Sequence, residues 1–220
     1  AGSIVTSGTG SVSVSAGTLS LSSGTLSVGT LALSGGTLSG AGNLAVPLGA
    51  TATWTGGTMT GPGDTDVLAG GTLGIHTNNP TLHGRNLTNA GSLSHAPPNY
   101  LILNGSGSFS LTNASGGVWD FANNTAFAVS GGIWGFINEA GAILQKSTVT
   151  DTLHFNLPLT NAGTVEVDGG IFDPTDDLGD VDVNYYHGGL LIQSDHPRVR
   201  REAGVESDRS VIRRRVDVLG

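Results

Sequence analysis

The chain has 220 residues, 36 of them glycine, none cysteine, with 12% charged and a formal net charge of −8. Its apolar residues, 37% of the total, are regularly placed, which excludes a charged random coil. Seven of the nine basic residues lie beyond position 197; residues 1–197 carry only Arg85 and Lys146 against thirteen acids, which excludes that body as a nucleic-acid binder, because phosphate contacts need clustered Lys and Arg.

The first residues, AGSIVTSGTG, have neither a basic nor an apolar leader region, and no initiator Met precedes them, so the chain reads as a mature form or a fragment. No run of about 18 apolar residues exists, so no membrane-spanning helix is expected and no membrane insertion of this segment. Absence of cysteine fits a bacterial exported chain, and equally any protein that avoids thiol chemistry.

Residues 1–50 are rich in Ser, Gly and Thr and repeat short units: SVSVS, GTLSL, GTLSV, GTLAL, GTLSG. Apolar residues fall two apart within a unit, at Val12/Val14, Leu19/Leu21, Leu26/Val28 and Leu31/Leu33, followed by Leu38. Such alternation marks a strand with one side chain in and the next out. A glycine before each unit marks a corner, because glycine tolerates left-handed backbone and close approach. Three short strands and three corners add up to about 20 residues, one coil of a three-sided β-solenoid.

Residues 51–168 continue in wider coils. LTNAG, LTNAS, FINEAG and LTNAG place Asn89, Asn113, Asn138 and Asn161 at spacings of 24, 25 and 23. Residues one period apart stack in a solenoid, so these four predict a corner ladder of side-chain amides, each able to donate and to accept. GGVWDF, GGIWGF and GGIFD place Trp119, Phe121, Trp134, Phe136 and Phe172 as core or stacked rings, with a sugar-stacking platform, as in a carbohydrate-binding module, the alternative reading. A β-sandwich would need antiparallel hairpins and frequent two-residue turns, whereas Asn104-Gly105 and Asp168-Gly169 are the only Asn-Gly or Asp-Gly pairs. The expected fold is all-β: a single-stranded right-handed parallel β-helix, a three-sided solenoid of about nine coils of 19–25 residues.

Catalytic signatures are sparse. No nucleophile elbow, dinucleotide fingerprint or P-loop occurs, and the six histidines show no zinc spacing. Asp64/Asp66 and Asp173/Asp176/Asp177 are the carboxylate groupings a glycoside hydrolase would draw on. A polysaccharide lyase would need a base, and outside the tail only Arg85 and Lys146 offer one. Thr51, Thr53 and Thr55 point outward in TATWT and raise the question of a water-ordering, ice-binding face.

Residues 169–194 form a distinct unit. GGIFDPTDDLGDVDVNYYHGGLLIQ at 169–193 resembles the passenger-associated repeat of bacterial autotransporters and large exoproteins, through Gly169, Gly170, Pro174, Gly179, Val181, Val183, Tyr186, Gly188, Gly189, Leu190 and Ile192. The upstream GGTLSG and TWTGGTMTG phrases are similar to repeats of the same surface proteins. The resemblance implies a secreted, right-handed β-helical stalk at the bacterial cell surface, adhesin-like and non-catalytic, with surface glycans or a host or neighbouring cell surface as partner. Solenoid ends pair readily, so end-to-end self-association is also expected.

The acids Asp173, Asp176, Asp177, Asp180 and Asp182 are hard oxygen ligands and the one metal candidate, for Ca²⁺, although no calcium-loop motif is present. A solvated strand face is the plainer reading; no other cofactor is expected. Residues 195–220 depart from the pattern as a basic, charged tail, either disordered or a cap on the solenoid end.

Overall fold

In the computed structural model the described residues are 10–77, 79–96, 100–124, 126–147 and 152–174, with the backbone of 185–186 and 190–191. The chain is a three-sided β-solenoid of about seven full turns. Successive strands take up three faces in rotation, and every pairing between strands is parallel. The first face begins with Ser11–Val14 and Thr30–Leu33, the second with Thr18–Ser20 and Thr37–Ser39, the third with Thr25–Ser27 and Asn43–Val46. Nine rungs line the first face and seven the third. Against an expectation of about nine coils, seven turns thus carry all three strands, and the last two rungs are partial among the described residues.

Register follows the spacing of the apolar pairs. Val12 lies beside Leu31, Leu19 beside Leu38, and Leu26 beside Leu44. Each pairs with its counterpart one coil on, because a one-residue slip would turn every leucine to water. On the first face the repeat is 19 residues from Ser11 to Thr30 and 21 from Thr30 to Thr51. It widens to 26 from Ser92 to Val118 and 25 from Val118 to Ile143. Part of the widening is a longer third face: Ser108–Asn113 and Ile133–Asn138 have six residues where Leu87–Asn89 has three.

The wider coils enclose a broader core, and its filling changes accordingly. Leucines and valines dominate up to Leu44. Later coils use rings: Trp119, Phe121, Phe127, Phe136, Phe155 and Phe172 are all buried. Trp119 meets Phe136 edge-on at 4.9 Å, and Phe136 meets Phe155 edge-on at 5.3 Å. Such pairs are each worth about 1 kcal/mol beyond the area they bury.

Hydroxyls stack on the outside. Thr18 and Thr37 neighbour each other on the second face, as do Thr37 and Thr58, then Thr58 and Thr81. Thr30, Thr51 and Thr72 do the same on the first face. The second face is divided into a six-stranded and a three-stranded sheet, between Phe127–Val129 and Thr152–Phe155. Across this break the Asn156 side-chain amide donates to the Phe127 carbonyl at 2.6 Å.

Candidate functional site

The four asparagines stand at the corner between the third and first faces. Asn89 Nδ2 donates to Asn113 Oδ1 at 2.8 Å, Asn113 Nδ2 to Asn138 Oδ1 at 2.9 Å, and Asn138 Nδ2 to Asn161 Oδ1 at 2.7 Å. The second proton of each amide goes to a main-chain carbonyl of the following coil: Val118, Ile143 and Thr164 respectively. Asn89, Asn113 and Asn138 are fully buried, whereas Asn161 is half-buried. Gly91, Gly117 and Gly163 follow at the corner because a Cβ there would lie within 2.4 Å of a carbonyl oxygen of the coil beneath.

A second column stands where the third face begins, and its residue type changes from coil to coil. Asp64 N–H donates to Asn43 Oδ1 at 2.9 Å, Asn86 Nδ2 to Asp64 Oδ1 at 3.1 Å, and Ser110 N–H to Asn86 Oδ1 at 3.0 Å. Next to it, Arg85 is buried, with 1% of its surface exposed. Its guanidinium lies over Gly63 and donates to the carbonyls of Gly42 and Asp64, at 3.1 and 2.6 Å, while Nε donates to Thr65 Oγ1 at 2.8 Å. Burial lowers its pKa to about 10, against the opposing pull of Asp64 and Asp66. Arg85 therefore stays cationic at neutral pH and ties coils together, sharing the Asp64 carbonyl with the Leu44 N–H, which donates to it at 2.9 Å. Asp66 shifts upward, first through burial and then through Asp64.

In the next two coils, Phe109 and Trp134 follow Arg85 in the same stack. They pair in register, with rings 4.9 Å apart, and Trp134 Nε1 donates to the Gly131 carbonyl at 2.9 Å. Phe109 is half-buried and forms one end of an open groove of about 340 Å³ along the corner between the second and third faces. Thr60, Gly61, Pro62, His83, Gly84 and Ser106 complete its lining. Gly61 and Gly84, both with positive φ, bring only main chain to the groove: a Cβ on Gly61 would collide with the Gly40 main chain, and one on Gly84 would lie 3.6 Å from the Phe109 ring.

The other singled-out residues are dispersed. Asp173 binds exposed His154 at 2.9 Å; Asp176, Asp177, Asp180 and Asp182 lie outside the described residues. Among the described residues no three His, Asp or Glu converge as metal ligands. Lys146 is buried with Nζ 3.3 Å from Asn124 Oδ1. His76 ends a first-face strand and His83 a second-face strand. His95 is buried between Phe121 and Phe127, at 4.9 and 5.3 Å, and neither ring nitrogen makes a hydrogen bond of good geometry. Burial lowers its pKa to about 3; the main chain at Ala126 pulls weakly the other way. No helix among the described residues is long and apolar enough to cross a membrane.

Phe109, Arg85's structural role and the mixed Asn43–Asp64–Asn86 column were not marked by any repeated phrase. The only sequence trace of the first two is the glycine run at positions 42 and 63 beneath them.

Comparison of the chain with protein-family models, with curated proteins and with solved structures gives no match.

Proposed function

We propose that this chain is a non-catalytic stalk segment of an exported bacterial surface protein, which presents its outer faces in the manner of an adhesin. One observation carries the reading: the buried polar side chains link coil to coil. The Asn89–Asn113–Asn138–Asn161 ladder and Arg85 each bridge several turns. Their donors go to main-chain carbonyls and to each other, which stiffens a stack whose repeats otherwise touch only their neighbours. The resemblance of residues 169–193 to the passenger-associated repeat supports export and surface display.

The test pairs a glycan array with an assay for reducing ends released from polysaccharides. Capture without release is the expected result; release of reducing ends overturns the non-catalytic reading in favour of a polysaccharide hydrolase. Calcium at Asp173, Asp176, Asp177, Asp180 and Asp182 is tested by titration calorimetry with CaCl₂, and the absence of both heat and a Tm shift ends that idea.

A further inference from the structure

We propose that the corner groove ending at Phe109 binds a short neutral oligosaccharide, with the Phe109 ring as its stacking platform. The proposal rests on reading the segment as one that presents a binding surface; it does not depend on the stiffness of the stalk.

The chemistry of the lining selects the ligand class. Phe109 offers a half-buried ring, held by the Trp134 ring behind it at 4.9 Å. An aromatic surface fixed in this way gives contact area at little cost in side-chain entropy. Around it stand the hydroxyls of Thr60 and Ser106 and the His83 ring. These groups can each donate or accept, so they suit a ligand carrying many hydroxyls on an otherwise apolar frame.

Charge argues against anions and cations alike. The lining contains no carboxylate, lysine or arginine. The nearby Arg85 guanidinium is occupied by the carbonyls of Gly42 and Asp64 and the hydroxyl of Thr65. A charged ligand would lose hydration and find no counter-charge.

A peptide strand is disfavoured on a different ground. Strand addition needs an unpaired edge. Here the main chain of the lining glycines is already paired: Gly61 N–H donates to the His83 carbonyl and Gly84 N–H to the Asn104 carbonyl. Three coils contribute to the groove, through Thr60 and Gly61, His83 and Gly84, then Ser106 and Phe109. At a coil spacing of about 4.8 Å, it extends roughly 10 Å along the axis, room for about two sugar rings.

Trp134 supplies a site-specific reporter. Its indole N–H is one of three in the chain, and only Trp134 contacts Phe109. Cellotetraose and maltotetraose are titrated into the ¹⁵N-labelled 220-residue chain, with trigalacturonate as the charged comparator. The expected result is a saturable shift of the Trp134 indole signal with at least one neutral probe, while Trp54 and Trp119 stay put. Phe109→Ala should weaken that binding at least tenfold. The double variant Thr60→Val/Ser106→Ala, which leaves the core alone, should weaken it several-fold.

Three results overturn the proposal: a Trp134 signal unmoved by both neutral probes, unchanged affinity in both variants, or trigalacturonate binding as tightly as the neutral sugars. Glycan capture on an array that survives in Phe109→Ala would sink the groove assignment alone and leave surface presentation standing.

Discussion

The side-chain amide of Asn113 donates to Oδ1 of Asn138, one coil further on, at 2.9 Å, and with its second proton to the Ile143 carbonyl at 2.8 Å. Asn113→Ala removes both donors, leaving Asn138 Oδ1 without its ladder partner, and takes from Asn89 Nδ2 its acceptor, in a place closed to water. A buried acceptor stranded in this way costs roughly 1–3 kcal/mol. The variant should lose about 3 kcal/mol in urea unfolding. Asn161→Ala, at the half-buried end of the ladder, should lose about 1 kcal/mol. Equal losses at the two positions would show that the ladder does not act through burial.

The asparagine spacing of 24, 25 and 23 was legible in the sequence because one side chain does one job at one corner in four coils running. The leucine and valine alternation at the N-terminal end was legible for the same reason, and the pairings Val12–Leu31, Leu19–Leu38 and Leu26–Leu44 follow from it. The Asn43–Asp64–Asn86 column was not legible. Any small side chain with an acceptor oxygen serves there, so the residue type drifts while the hydrogen bond persists. The groove was hidden for a further reason. It is made by what glycines omit at one corner, and Phe109 sits in phase with an arginine below it and a tryptophan above it, three residues that share volume and nothing else.

Arg85 lies over Gly63, where a Cβ would fall 2.9 Å from its guanidinium, and its fork reaches two carbonyls and a hydroxyl. Arg85→Leu should destabilise the chain by about 3 kcal/mol, since it removes the donor to the Gly42 carbonyl and a charge-assisted bond to the Asp64 carbonyl. Arg85→Lys should recover little of this, because a single ammonium cannot satisfy the same spread of acceptors. Guanidinium chloride or urea midpoints for the two variants check this; a lysine variant as stable as wild type would refute the fork argument.

Two glycines separate backbone strain from steric collision. Gly17 has φ +71° and open space around a built Cβ. Gly117 has ordinary φ, but its Cβ would lie 2.3 Å from the Asn89 carbonyl oxygen and 2.7 Å from Asn113 Oδ1. Gly17→Ala should cost about 1–2 kcal/mol, the penalty of a left-handed residue with a side chain. Gly117→Ala should cost more, at least about 3 kcal/mol, because it pushes apart two coils and the amide ladder between them. Thermal unfolding of both variants, compared with Asn113→Ala, reads the difference. If Gly117→Ala were the milder of the two, close packing at this corner would not be what demands glycine.

His95 gives the fold an acid-sensitive point. Its pKa is lowered to about 3 in the folded chain by burial, against an ordinary value of 6.5. Between these two values the unfolded chain binds the proton and the folded chain does not. Stability therefore rises with pH across that window and is lost as pH falls below about 6.5. From pH 7 to pH 5 the loss attributable to His95 is about 2 kcal/mol, taking about 1.4 kcal/mol per pH unit below 6.5. Asp66 and Asp120 are shifted upward by burial and so act in the opposite sense, which is why the His95 variant, and not the wild-type pH profile alone, isolates the histidine's share. His95→Leu should stabilise the chain at pH 5 more than at pH 7, because it removes a ring that must stay neutral and whose nitrogens lack partners among Phe121 and Phe127. Urea unfolding of wild type and variant at the two pH values decides it: parallel losses in both proteins would place the acid sensitivity elsewhere.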